Sequence, residues 1–261
     1  MTKILAFSGK KQSGKTSGAN WIVGQVLVAN NVLHDFHIND NGELIVPYDF
    51  GNDVQYHPLD MCDKRPIMQE YLAEKVWPHV KVYSFADILK ESVMNIFGIE
   101  YKQLYGSDDE KNQLTKYTRE DFAKLLGDKI KIVNPSPNYM SGRDILQIFG
   151  TDICRTIYYD VWVDACIRQI KKDDSELAII IDCRFFNEIE AVHKEYGKVI
   201  RLTRNIHPED THESETALDN CSDFDYILDN SNITIEQKNQ KINEKMSEWD
   251  YNMWDWLCEE K

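Results

Sequence analysis

A chain of 261 residues with 42% hydrophobic content can bury the core of one large α/β domain with room for insertions, which excludes disorder throughout. Its formal charge of -14 excludes an extended nucleic-acid groove, because neutralising a phosphate backbone takes a basic surface; any polyanion must be met by a local cluster of cations. The six cysteines (Cys62, Cys154, Cys166, Cys183, Cys221, Cys258) show no C-x-x-C spacing, which disfavours a zinc site and a redox pair. No apolar run approaches the roughly 18 residues that span a bilayer, and no signal-peptide pattern precedes the first apolar run. The expectation is a soluble cytoplasmic protein with reduced thiols and neither membrane nor nucleic acid as partner.

The first predicted strand is Ile4-Leu5-Ala6-Phe7. Directly after it, Gly9-Lys10-Lys11-Gln12-Ser13-Gly14-Lys15-Thr16 fits G-x-x-x-x-G-K-[ST]. Ala19, Ile22, Val23, Val26 and Leu27 then repeat at helical spacing, with Asn30-Asn31 as the stop. Strand, glycine turn and helix form the context that a phosphate-binding loop requires. The glycines let the backbone curl so that successive N–H groups point at an anion, and the positive end of the helix adds to that field. In this reading Lys15 reaches the β- and γ-phosphates of a nucleoside triphosphate and Thr16 holds Mg²⁺.

Residues from about 34 to 78 change character: Asn39-Asp40-Asn41-Gly42 sits between short β-prone runs, and Pro47, Pro58, Pro66 and Pro78 punctuate the stretch, which reads as a hairpin-bearing insertion. Val80-Lys81-Val82-Tyr83-Ser84 is the second core strand, with a helix from Asp87 to Phe97 behind it. Residues from about 101 to 140 are polar and interrupted by Gly106, Gly127, Pro135 and Pro137; they read as a lid-like excursion with a short strand at Lys129-Ile130-Lys131-Ile132-Val133. Ser141 is placed to cap a helix from Gly142 to about Ile157, and an apolar pattern runs from Val161 through Ile170. Leu177-Ala178-Ile179-Ile180-Ile181 has the composition of a strand buried on both faces. A helix from Asn187 to Glu195, strands Val199 to Leu202 and Tyr226 to Leu228, and a helical stripe at Ile235, Ile242, Met246, Trp249 and Met253 complete the chain. The tryptophans at that end suit a core or a dimer contact. Alternation of strands and helices predicts a three-layer α/β sandwich over residues 1–261 as a single domain, with five parallel strands, helices on both faces and ligands at the carboxyl ends of the strands.

Asp182 ends the strongest apolar strand, where a Walker-B-type carboxylate reaches the metal directly or through water, with a plain turn cap as the alternative. Arg184 emerges at the same rim and would stabilise charge on the transferring phosphoryl group, or else pair with Glu188 on the surface. In the helix from Gly142, Arg143, Gln147, Thr151 and Arg155 are each four apart and share one face. Two arginines and an amide on one stripe suit an anion and a hydrogen-bonding ring, with a solvated face as the alternative and Asp144 and Asp152 as helix-surface residues. Phe85, Asp87 and Lys90 lie just beyond the second strand, on the acceptor side; Phe85 fits the core as well as a stacking platform. Lys102, Lys111, Lys116 and Arg119 could supply closing cations. His212, among the carboxylates of Asp210 to Glu215, has no second ligand at metal spacing.

Together these motifs resemble the deoxynucleoside monophosphate kinases encoded by tailed bacteriophages. The resemblance runs through Gly9 to Thr16, Phe85-Ala86-Asp87-Ile88-Leu89-Lys90, Arg143-Asp144-Ile145-Leu146-Gln147 with Gly150-Thr151-Asp152, Trp162-Val163, Asp182-Cys183-Arg184 with Glu188, and Asp210 to Glu215. It implies transfer of the γ-phosphate of ATP to a deoxynucleoside 5′-monophosphate with Mg²⁺, in a host cytoplasm, by an enzyme that works on small nucleotides and can form a homodimer. By that likeness Lys11, Gly14, Thr16 and Ser17 lie at the donor phosphates, to which the loop motif itself adds Gly9, Ser13 and Lys15. Lys90, Arg143, Gly150, Thr151, Trp162 and Asp182 line the acceptor pocket, to which the residues themselves add Phe85, Gln147 and Arg155. The insertion at 34–78 and the lysine-bearing excursion depart from the family pattern, so base preference and lid chemistry stay open. So do two rivals: a P-loop kinase for another small acceptor, such as dephospho-coenzyme A or a sugar, and a nucleotide-dependent binding module.

Overall fold

The computed structural model describes residues 2–49, 54–61, 63, 65–126, 139–204 and 216–251. In chain order its elements are β1 (Lys3–Gly9), α1 (Lys15–Ala29), β2 (His37–Ile38), β3 (Leu44–Asp49), β4 (Val54–Pro58), α2 (Pro66–Tyr71) with a wide-wound π-helical continuation (Leu72–Val76), and β5 (Val80–Tyr83). Then come α3 (Asp87–Phe97), α4 (Tyr101–Tyr105), α5 (Asp108–Lys111), β6 (Leu114–Thr118), α6 (Arg119–Leu126), β7 (Tyr139–Ser141), and α7 (Gly142–Gln147) with a π-helical continuation (Ile148–Arg155). The chain closes through α8 (Val161–Asp173), β8 (Leu177–Cys183), α9 (Phe186–Lys194), β9 (Lys198–Leu202), β10 (Tyr226–Leu228) and α10 (Ile235–Glu248). The expected stretches at 129–133 and 210–215, and the stripe position Met253, lie outside the described residues.

The chain packs as two compact units, Met1–Ser84 with Ile167–Lys261, and Phe85–Cys166. The first unit holds a five-stranded sheet in the order β10-β9-β1-β8-β5, every neighbour parallel, so the five core strands read from the sequence are all present. Parallel strands need covering on both faces, and the burial pattern provides it. Leu5 and Phe7 of β1, Leu177 and Ile179 of β8 and Ile200 and Leu202 of β9 pack with Ile22, Val23, Val26 and Leu27 of α1 and with Ile242 and Met246 of α10. The alternate residues Ile4, Ala6, Ala178, Ile180 and Val199 are buried outside that cluster, together with Ile189 and Val192 of α9. The same unit carries an antiparallel sheet β2-β3-β4, whose Leu44 and Val46 join the main core.

The second unit is built on Val93, Ile99, Leu104, Phe122, Met140, Ile145 and Ile148, with a short antiparallel pair β6-β7. Ser141 caps α7: its Oγ accepts from the Asp144 N–H at 3.2 Å, and the Asp144 carboxylate accepts from the Ser141 N–H at 2.9 Å and its hydroxyl at 2.7 Å. Asp144 is therefore buried in a reciprocal cap, not a helix-surface residue, because the third helical position points back at the free N–H groups of the first turn. Ser141→Ala should cost about 1 kcal/mol, read as a lower urea midpoint at constant slope. Among the described residues, Cys154, Cys166, Cys183 and Cys221 are free thiols, and no helix is long and apolar enough to cross a membrane.

Candidate active site

The end of β1 and the start of α1 shape the glycine loop. Gly9 adopts φ +147°, and a Cβ there would stand 2.7 Å from the Leu202 carbonyl oxygen of β9, so no other residue fits without moving the sheet. Gln12 and Gly14 also take positive φ, at 58° and 96°, and the Ser13 N–H donates to the Lys10 carbonyl at 3.2 Å. Within this turn the Lys15 ammonium donates to the Gly9 and Lys10 carbonyls, both at 2.7 Å. The Ser13 hydroxyl is buried without a hydrogen-bond partner. Thr16 is exposed and Ser17 buried, one residue on.

Strand register sets a second group at the carboxyl edge of β8, the neighbour of β1. Ser8 stands opposite Cys183, and Tyr83 opposite Ile180, so Asp182 and Ser84 sit at the carboxyl ends of strands on the β1 side of the sheet. The Asp182 carboxylate accepts from the Ser84 hydroxyl at 2.5 Å. Arg184 follows directly. The buried Glu188 carboxylate accepts from the Arg184 N–H at 2.6 Å and the Phe185 N–H at 3.1 Å, capping α9.

A cavity of about 580 Å³ opens on the loop, lined by Gln12, Ser13, Gly14, Lys15, Thr16 and Ser17. Its other walls are the turn Asp40-Asn41-Gly42, Arg204 after β9, and Asn230, Ile233, Thr234, Ile235 and Lys238 around the start of α10. Asn230 ties these walls together, donating to the Ser13 carbonyl at 2.7 Å and accepting from the Arg204 N–H at 3.0 Å. Lys238 is only 3% exposed; its ammonium donates to the Gly14 carbonyl at 3.0 Å and the Ser17 hydroxyl at 2.5 Å. Burial, reinforced by the Arg204 charge, pulls its pKa down to about 8.

The remaining sequence candidates belong to the second unit. Lys90 lies 4.5 Å from the Tyr105 ring centre and 3.8 Å from the Asp87 carboxylate. Arg143 and Thr151 are exposed, Gln147 and Arg155 half-buried, and the Arg155 guanidinium sits 5.9 Å from the Tyr159 ring centre. Their helix is α-wound only as far as Gln147, then widens to π winding, so the four-residue spacing spans two different geometries. Gly150 lies in the widened part, close against Leu89, whose Cδ2 would stand 2.6 Å from a Cβ there. The Trp162 indole donates to the Gly150 carbonyl at 3.1 Å and, like Phe85, is buried.

A family model described as deoxynucleotide monophosphate kinase matches residues 3–242. The chain belongs to that family. It is also similar, at 28% identity over 170 residues, to a protein of Acanthamoeba polyphaga mimivirus that bears the provisional name deoxynucleotide monophosphate kinase; the match covers 59% of this chain and 76% of that relative.

For this kinase-family chain, sequence reasoning missed the walls of the cavity beyond the glycine loop. One signal was available for Lys238. The apolar stripe of the last helix runs Ile235, Ile242, Met246, and the position that completes its spacing is a lysine. A charge on the buried face of a helix needs a reason, and the carbonyl of Gly14 supplies it.

Proposed function

We propose that the chain transfers the γ-phosphate of ATP to a deoxynucleoside 5′-monophosphate, giving the diphosphate for DNA precursor synthesis. The observation that carries this reading is a Lys15-bearing glycine loop opening on a nucleotide-sized cavity in a chain of the deoxynucleotide monophosphate kinase family. The donor site is Gly9, Lys11, Ser13, Gly14, Lys15, Thr16 and Ser17. The unpartnered Ser13 hydroxyl and the backbone cradle that admits no Cβ at Gly9 suit phosphate oxygens.

Mg²⁺ is hard and takes few protein oxygens beside phosphate and water, and the Thr16 hydroxyl and Asp182 carboxylate are donors of that type. When bound it would neutralise charge on the β- and γ-oxygens. Phe85, Lys90, Arg143, Gln147, Gly150, Thr151, Arg155 and Trp162 are the acceptor candidates on the second unit, and Asp182 for the acceptor and Arg184 for the transferring group are the candidates on the first. An acceptor phosphate oxygen needs no strong base, so the protein's work is to position two polyanions and offset their charge.

The test is a panel in which ATP is paired with each natural and hydroxymethylated deoxynucleoside monophosphate, and with dephospho-coenzyme A, scored by ADP released above an acceptor-free control. Turnover only with a non-nucleotide acceptor, or hydrolysis alone, would refute the reading. In the same assay Arg143→Ala should raise KM for the monophosphate by about tenfold or more, as expected for a lost charged hydrogen bond, with KM for ATP within twofold.

A further inference from the structure

The cavity beside the glycine loop has a wall that phosphates do not need. In the turn before β3, the Asn39 side-chain oxygen accepts from the N–H groups of Asn41 at 3.1 Å and Glu43 at 2.9 Å, and its amide donates to the Glu43 carboxylate at 2.7 Å. The Gly42 N–H closes the turn on the Asn39 carbonyl at 2.8 Å. Asn39 thus supplies the side chain that builds the turn, leaving Asp40 and Asn41 out of that work.

The turn is fastened to α1. Gly42 has φ +80°, and a Cβ there would lie 2.6 Å from Ser17 Cβ, so the two backbones meet with only a glycine between them. The Gly42 carbonyl accepts from the Asn20 amide at 2.9 Å. Asp40, two residues away, has its Cα within about 7 Å of this anchor, and it lines the cavity with Asn41. Among the described residues its carboxylate has no hydrogen-bond or ion-pair partner, although Arg204 and Lys238 line the same space.

A carboxylate is ill suited to a polyphosphate and well suited to a neutral group rich in hydroxyl donors. In a nucleotide whose phosphates lie on the loop ending at Ser17, the next group is the sugar. Ile233 and Ile235 supply apolar lining for a base elsewhere in the cavity. We propose that Asp40 accepts a hydrogen bond from the ribose 2′-hydroxyl of the donor, so that the donor site selects ribonucleoside over 2′-deoxyribonucleoside triphosphates. This rests on the donor reading above and deepens it. An enzyme whose acceptor and product are both deoxynucleotides gains from such a filter, because a site reading phosphates alone would fill with deoxy competitors.

The test is equilibrium calorimetry of ADP, 2′-deoxy-ADP and inorganic tripolyphosphate against wild type, Asp40→Ala and Asp40→Asn, with melting curves as the folding control. Wild type should bind ADP roughly five- to twentyfold tighter than 2′-deoxy-ADP, the range for one hydrogen bond to a partly hydrated charge. Asp40→Ala should bring the ratio to within about twofold through weaker ADP binding, with tripolyphosphate affinity equal or slightly higher, and Asp40→Asn should keep part of the preference. Melting temperatures should stay together, since Asn39 holds the turn. A wild type without preference, or a preference that survives Asp40→Ala, overturns the assignment of Asp40 alone. A wild type that binds neither ADP nor tripolyphosphate sinks the donor reading and this assignment with it.

Discussion

Lys15→Ala should lower kcat/KM for phosphoryl transfer by about two to three orders of magnitude, the loss typical of one preorganised charge aimed at a transition state. The Lys15 ammonium is held by the Gly9 and Lys10 carbonyls, so the loop's own backbone fixes its position. A lysine already anchored gives up little side-chain freedom on binding, and in the proposed reaction its charge would meet the oxygens where negative charge builds. Steady-state ADP release with the best acceptor measures the loss. A melting curve guards against misfolding, because the two carbonyls left behind sit at a loop that water can reach through the cavity. Turnover at the wild-type rate in a folded Lys15→Ala protein would remove Lys15 from the mechanism.

The second large effect concerns Lys238 and pH. Its folded pKa, about 8, lies below the ordinary lysine value of 10.5, so between these limits the unfolded chain carries a proton that the folded chain has released. Stability from this group therefore rises as pH climbs from about 8 to about 10.5, by about 3 kcal/mol in all, and the burial penalty is fully present at pH 7. Lys238→Met removes the penalty together with the hydrogen bonds to Gly14 and Ser17.

Other groups titrate in the same range; burial pushes the Tyr251 hydroxyl up to about 12, which costs stability above pH 10. The informative quantity is thus the difference between wild type and variant. Urea unfolding at pH 7 and at pH 10.5 should show that difference moving by about 3 kcal/mol in favour of wild type, and a constant difference would mean that the buried ammonium is not strained. The variant should also bind nucleotide at least tenfold more weakly at pH 7, since the Gly14 carbonyl and Ser17 hydroxyl lose the cation that orders them.

What the sequence displayed most clearly was what is contiguous. The strand Leu177 to Ile181 announces itself because a parallel strand covered on both faces must be apolar at every position, and the glycine loop because its conformation admits few residue types. The cavity was legible only in part. Its walls at Asp40-Asn41-Gly42, Arg204 and Asn230 to Lys238 come from segments far apart in the chain, and each taken singly is an ordinary turn or helix start.

The helix after Ser141 shows a different limit. Its cap was readable from one serine, but the π winding from Ile148 to Arg155 was not, because four-residue spacing assumes α geometry and nothing local marks the change. Asp144 reads as a surface residue for a related reason: its helical position says where it points, and only the cap explains why that direction is inward.

Two of the side chains that fasten the glycine loop, Asn230 and Lys238, lie 217 and 224 positions downstream of their carbonyl partners. A growing chain therefore makes the loop more than two hundred residues before the braces that hold it. A ligand of the loop would meet its finished seat only on molecules in which α10 has docked, so its occupancy would stabilise those copies against unfolding by mass action.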